Sequence, residues 1–450
     1  MIRKLMLPLL VLTLLSLPWM ALAAENPQPQ DKPLALDDCL RMGYANSQDL
    51  KLAGKNVDVA EEGVKQAAGS FWPTLKYALD YQKASSGSVT YVPTGTAADG
   101  AWKWQAIDIS DHSYSGTLSL NLSLYSGGKL TKGLKVALLK LASAKEDERA
   151  AKQKLTYNIK ADFYSLWLAE QELKVAESSY NNLKQHFEQV EKFYKVGSKS
   201  KYELLQAEVA WKRQQPMVIA AENSADIAKL NLATLIGMDK NQELAIGYDD
   251  SLLQVPDQIT LTLQPLLEEA YQKRPEVHQA IQNTQISKLN TAIAKAGYKP
   301  TLSLSGTYGN DGDTSSVNDW DNETWTLSVE LSGLLFDGPT TLAKIKEAKI
   351  NEQIAGIEDT KTRDLIRQDV QTALQGLKED LSSINSNQAN IDLAKESLRM
   401  TEVRFEAGMN TTLDLKDAQL SLDEAADGYY EGVSAYLTAL AKLDYVLGKD

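Results

Sequence analysis

Four short segments of the chain alternate apolar and polar residues with a period of two. In Pro73–Tyr81, Leu75, Tyr77, Leu79 and Tyr81 share one face, and Thr74, Lys76, Ala78 and Asp80 share the other. In Tyr114–Tyr125, Leu118, Leu120, Leu122 and Leu124 stand opposite Ser119, Asn121 and Ser123. Thr301–Tyr308 and Trp325–Ser332 repeat the scheme, broken only at Gly306. Such alternation predicts β-strands with one apolar face. The other face is mostly serine and threonine, unlike a packed core. Aromatic residues gather near the strand ends, among them Trp72, Tyr81, Trp102, Trp104, Tyr125, Trp320, Trp325 and Phe336.

A different period governs the rest of the chain. Between Gly128 and Pro216 there is no proline, so Lys129–Tyr194 is predicted to be one helix of about 66 residues, roughly 100 Å at 1.5 Å per residue. Ile159, Leu166, Leu173, Tyr180, Phe187 and Tyr194 recur every seven residues along it. Val370, Leu377, Ile384, Ile391, Leu398 and Phe405 do the same later in the chain. A sustained heptad seam predicts coiled-coil packing with a left-handed supercoil.

The two seams are 211 residues apart position by position, and other pairs share that offset. YKVGSKSKYELLQAE, from Tyr194, matches FEAGMNTTLDLKDAQ, from Phe405; LYSGG matches LFDGP; LNLATLIG matches AKLDYVLG. The strand openers PTLKYALDY and PTLSLSGTY correspond at an offset of 227. The chain is therefore read as an internal two-fold repeat. After a leader at 1–23, the first unit is residues 24–237, with a β-hairpin at about 73–125 and a long helical hairpin at about 129–237. Residues 238–264 form a linker. The second unit is 265–450, with a β-hairpin at about 300–336 and a helical hairpin at about 340–448. Each unit reads helix, strand, loop, strand, long helix, tip, long helix. At the tips, Gly197 and Gly408 suit the left-handed position that ends a helix. Ser200 with Glu203, and Thr411 with Asp414, have the spacing of a capping box that starts the next one.

Composition narrows the function. A net charge of −13 argues against nucleic acid as a partner. The N-terminus has a basic MIRK, an apolar stretch to Met20 and a small-residue site at Ala21-Leu22-Ala23, the three parts of a secretory signal peptide. No later stretch approaches the roughly 20 apolar residues of a spanning helix. Cys39 is the only cysteine, so no disulfide can form within the chain, and its setting suits a small buried helix residue. His112, His186 and His278 lie on different elements with no partner at metal-ligand spacing. No nucleophile elbow, phosphate loop or dinucleotide fingerprint is present. Neither an enzyme nor a cofactor is expected. Ala84–Asp111, rich in turn formers, is expected to be an extracellular loop, beside the shorter turn Gly309–Asp319.

Four amphipathic strands cannot stand alone in a bilayer, where every backbone group must be paired and a sheet must close. Eight strands make the smallest closed barrel, usually filled by its own side chains. Twelve leave a lumen, so strand arithmetic favours a cyclic homotrimer whose helices continue the pore as a tube.

The chain resembles the TolC family of bacterial outer-membrane efflux proteins over nearly its whole mature length. LALDDCLRMGYANS with its echo LTLQPLLEEAYQKRPEV, the two strand openers, LYSGG with LFDGP, and the two tip motifs carry the resemblance through their order and duplication. It implies a mostly α fold with β: a trimeric 12-stranded outer-membrane β-barrel, four strands per chain, continued by a long periplasmic α-helical coiled-coil barrel with an equatorial domain. It implies an exit duct in the outer membrane of a Gram-negative type bacterium, docked to a periplasmic adaptor and through it to an inner-membrane pump of RND or ABC type. Outer-membrane lipid would surround the barrel. It further implies a periplasmic gate of acidic rings, with Asp414 and Asp417 at the family's acidic positions and Glu203 opposite Asp414. The same acids would also serve as helix caps, except Asp417. Crowding is expected to raise the pKa of these carboxylates. The family's polar lock falls on Phe405 and Asn410, and phenylalanine offers no hydrogen bond there. A surface-exposed coiled-coil stalk or adhesin is the alternative; it leaves the four strands unexplained.

Overall fold

Two helices of 67 residues and two of 35 dominate the computed structural model, which describes residues 33–83, 89–108, 112–238, 245–248, 255–256, 258–312 and 323–449. The leader and parts of the linker and of the two expected loops lie outside the described residues. The elements, in order, are α1 (Leu36–Asn46), α2 (Gln48–Gly69), β1 (Thr74–Lys83), β2 (Val89–Thr96), β3 (Trp102–Asp108), β4 (His112–Tyr125), α3 (Lys129–Lys195) and α4 (Lys201–Leu235). There follow α5 (Leu263–Lys273), α6 (Pro275–Lys295), β5 (Thr301–Gly312), β6 (Glu323–Ser332), α7 (Thr340–Glu406) and α8 (Thr412–Val446).

The strands behave as their alternation requires. β1, β4, β5 and β6 form one antiparallel sheet in that order, so the β4–β5 contact joins the two halves of the chain. The register carries the apolar set across all four strands. Tyr77, Leu118, Tyr308 and Trp325 lie in one row; Leu75, Leu120, Gly306 and Leu327 lie in the next. The gap at Gly306 is covered by the Leu327 side chain, 3.7 Å from where a Cβ would stand. Lys76, Ser119, Thr307 and Thr326 make up the alternating row of the other face. The apolar face is open: Tyr77 is 81% and Trp325 76% exposed. The outer sides of the edge strands β1 and β6 have no strand partner among the described residues.

Two expectations are corrected. Ala84–Asp111 is not simply a loop, because β2 and β3 pair within it as a separate two-stranded ribbon. A register shift between Pro93 and Gly95 hides its alternation. Nor is one helix found before each strand pair. The first pair is preceded by α1 and α2, broken at Ser47, whose side chain caps α2 by accepting from Leu50 N–H. The second is preceded by α5 and α6, broken at Arg274.

The main core lies where the short helices wrap the long ones. Cys39, Leu155, Ile159, Leu166, Leu232 and Ile236 form one cluster, and Leu267, Ala270, Val277, Val370, Leu377 and Val446 belong to another. Each fully buried Leu or Ile contributes about 1.5–3 kcal/mol. Burial raises the Cys39 thiol to about 11, which makes it a poor nucleophile. Buried polar ties join the halves: Gln153 donates to the Gly448 carbonyl at 2.9 Å, and the Ser434 hydroxyl to the Tyr164 carbonyl at 3.1 Å. The Arg274 guanidinium forks between Glu276 and Asp369. Among the described residues no helix is long and apolar enough to cross a membrane.

Candidate functional site at the hairpin tips

Both long helices end in the same way. At the first tip, Gly197 has φ +78°, Ser198 N–H donates to the Phe193 carbonyl and Gly197 N–H to the Tyr194 carbonyl. At the second, Gly408 has φ +75°, with Met409 donating to Arg404 and Gly408 to Phe405. Both are Schellman closures, in which a positive φ favours glycine. The chain then restarts through two capping boxes. Ser200 N–H donates to Glu203 Oε2 at 2.8 Å while Glu203 N–H donates to Ser200 Oγ at 3.3 Å. Thr411 N–H donates to Asp414 Oδ2 at 2.7 Å while Asp414 N–H donates to Thr411 Oγ1 at 3.2 Å.

These bonds act on the acids. The hydrogen bond from Ser200 N–H, then Lys199, pulls Glu203 down to about 2. The Thr411 N–H and hydroxyl hold Asp414 below the ordinary aspartate value. Within the chain the cap thus opposes the upward shift expected from crowding. Asp417 is exposed and lies 4.0 Å from Lys416. Asn410 donates its backbone N–H to the Arg404 carbonyl at 3.3 Å.

Phe405 packs the second tip against the first. It is 3% exposed and packs with Val190 of α3 and Ala207 of α4. The His186 ring meets it edge-on at 4.6 Å, and the Lys199 ammonium sits 4.9 Å from its ring centre. Lys199 is in turn bonded to Glu203 at 2.9 Å. The position lacking a polar lock is therefore filled by an apolar one. From the sequence His186 is weighed only as a metal ligand, and Lys199 is not singled out. The seam read on α3 explains why: Leu173, Tyr180 and Phe187 are only half-buried and Tyr194 is exposed. Tyr180 and Phe187 instead pack on Trp211 of α4. The buried set is Ser179, Leu183, His186 and Val190, spaced four, three and four. That spacing is a heptad signal, but two of its members are polar. On α7 all six seam residues are buried.

A cleft of about 290 Å³ opens beside this contact, lined by residues of α3, α7 and α8. Asn182 of α3 donates to Gln419 of α8 at 3.3 Å, and Gln419 donates to Asp423 at 2.7 Å. Higher on α8, Asp427 is pushed up to about 6 by burial, with Glu172, Asp423 and Glu431 adding to it. Its ionised form is the penalised one, so the cost is present above about pH 6 and fades as pH falls toward the ordinary aspartate value. Asp427→Asn is expected to stabilise the protein at pH 7.5 by on the order of 1 kcal/mol, after allowance for partial exposure. At pH 4.5 the gain should shrink to roughly a third of that value. Thermal unfolding in detergent at both values checks this; an equal gain at both would show that charge is not the cause. Among the described residues no cluster is arranged to hold a metal ion.

A family model described as "Outer membrane efflux protein" matches residues 41–238 and 266–449. The probable efflux pump outer membrane protein TtgC of Pseudomonas putida is 22% identical over 423 residues, covering 92% of this chain and 83% of its own. The alkaline protease secretion protein AprF of Pseudomonas aeruginosa is 24% identical over 343 residues, 75% of this chain and 70% of its own. The solved Campylobacter jejuni CmeC outer membrane channel shares the fold with a TM-score of 0.75 at 18% identity, covering 92% of this chain and 85% of that one.

Proposed function

The chain belongs to the outer membrane efflux protein family, and from that premise we propose that it assembles as a trimer around one continuous pore gated at its hairpin tips. It is an outer-membrane exit duct of a Gram-negative bacterium with a helical extension into the periplasm, and a transport protein rather than an enzyme. Its partners are the adaptor and inner-membrane pump of an efflux or type I secretion system. The single observation that supports the trimer is the sheet. Four strands present a largely apolar face, interrupted at Gly306, and two outer edges that are unpaired among the described residues, and lipid tolerates neither edge. Joining β1 of one copy to β6 of the next closes a barrel; three copies give twelve strands and a lumen.

The tip is the gate in this reading. Asp414 and Asp417 from three copies would place six carboxylates around one opening, with Glu203 beside them. Gly197, Ser200, Gly408 and Thr411 fix the turns that aim those acids. Residues 24–237 and 265–450 then act as two near-equivalent staves, joined by the linker at 238–264. The expected result in mild detergent is a trimer mass by light scattering, together with conductance in liposomes. A monomer mass in a folded sample would sink the closure argument. A trimer without conductance would favour a stalk.

A further inference from the structure

We propose that His186 is a positioning residue of the tip gate: its imidazole must stay uncharged for the second hairpin to remain seated on the first, so acid unseats Phe405 and loosens the gate. This rests on the gate reading above. His186 is 6% exposed, and neither ring nitrogen has a hydrogen-bond partner among the described residues. An unpartnered buried imidazole is unusual, since buried polar groups are nearly always bonded. Its edge abuts Phe405, the residue that bridges the hairpins. One side of the ring's surroundings is the cleft between α3, α7 and α8, lined by Asn182, Gln189, Glu402, Glu406, Leu415 and Gln419. The cleft is wide enough to admit several waters at about 30 Å³ each, so a proton has a route to the ring.

The charged groups around His186 come from each packed element. Glu402 and Glu406 of α7 line the cleft and favour a charged ring. Lys199 in the first tip opposes it, though Glu203 of α4 partly neutralises that ammonium. From α8, neutral Gln419 intervenes and holds Asp423. Burial and then Lys199 win, and the ring titrates at about 4 rather than near 6.5. An opened tip hydrates the ring and restores an ordinary value. Opening therefore takes up a proton between about pH 6.5 and 4. The closed contact is at full strength above about pH 6.5 and weakens as pH falls toward 4. From pH 8 to pH 5 the open-to-closed ratio rises by up to about thirtyfold. Asp427 titrates in the same range with the opposite sign, since its protonation relieves a buried charge.

The test is planar-bilayer recording of the full-length assembly from pH 8 to pH 4.5. Wild type should open progressively below pH 6.5. His186→Phe keeps a ring against Phe405 but cannot titrate, so it should stay closed across the range. His186→Lys is charged at pH 7.5 once the ammonium is hydrated, which drives the tip open at that pH. Retention of the wild-type pH response in His186→Phe overturns the proposal. Should the variants fail to fold, an NMR titration of the three histidines of the wild-type protein decides. A His186 value below 5 supports the proposal and one near 6.5 overturns it. The acidic-ring reading fails separately: Asp414→Asn/Asp417→Asn would then leave ion selectivity unchanged, whatever the histidine variants do.

Discussion

Replacing Asp414 and Asp417 together by asparagine is expected to cut the channel's cation preference from on the order of tenfold to near unity. In the proposed trimeric gate, six carboxylates at one constriction, with low-dielectric walls nearby, would attract cations and repel anions. Divalent ions bridging neighbouring carboxylates should block the wild-type pore and leave the variant conducting. Asparagine is the informative choice because its carbonyl can still accept the Thr411 N–H that Asp414 now accepts. Alanine would remove that cap as well, worth about 0.5–2 kcal/mol, and blur the result. The cap also holds Asp414 ionised well into the acid range. Selectivity should therefore persist at pH 5, where the His186 contact is already weakening. Bilayer reversal potentials in a salt gradient measure this directly. Unchanged selectivity and divalent block would reduce these acids to caps and surface charge.

Phe405→Ala should raise the resting conductance at neutral pH and strip amide-exchange protection from residues 183–190 of α3. Removing a buried phenyl ring typically costs about 3–5 kcal/mol, and here the void would merge with the existing cleft. The loss falls on the contact between hairpins, because Val190, Ala207, His186 and Lys199 all meet that ring. The main clusters around Ile159 and Val370 are separate from it, so the unfolding temperature should move little. A tip as closed and as protected as wild type would show that the seal lies elsewhere.

How far the sequence could be read depended on how the information was encoded. The sheet was legible because alternation at Leu75, Leu118, Leu304 and Leu327 survives in the register itself. The tips were legible because glycine at C′ and a hydroxyl three residues before an acid have local causes. The β2–β3 ribbon was not, since the bulge at Pro93 and Gly95 shifts its phase in mid-strand. The break at Ser47 is a single residue wide, too short to register against two helical stretches. At the tip, Phe405 was read through what it cannot donate. What it can do, fill a socket between hairpins, depends on partners more than 190 residues away in the chain. His186 was hidden for a related reason: a polar residue at a buried heptad position carries no hydrophobic signal.

The matched lengths of the hairpins, 67 residues down and 35 back in each half, restrict how this chain can change in length. Deleting one heptad from α3 alone would draw its tip up by about 10 Å and carry Lys199 away from Phe405. A deletion that is not a whole number of heptads would also rotate the buried stripe off its partner helices. Insertions and deletions are therefore tolerable only as whole heptads made together in α3, α4, α7 and α8. The sheet, which makes no such vertical contact, is free to vary its loops independently. Length variation among descendants of this chain should accordingly collect between the strands, and the helical arms should lengthen or shorten only in concert.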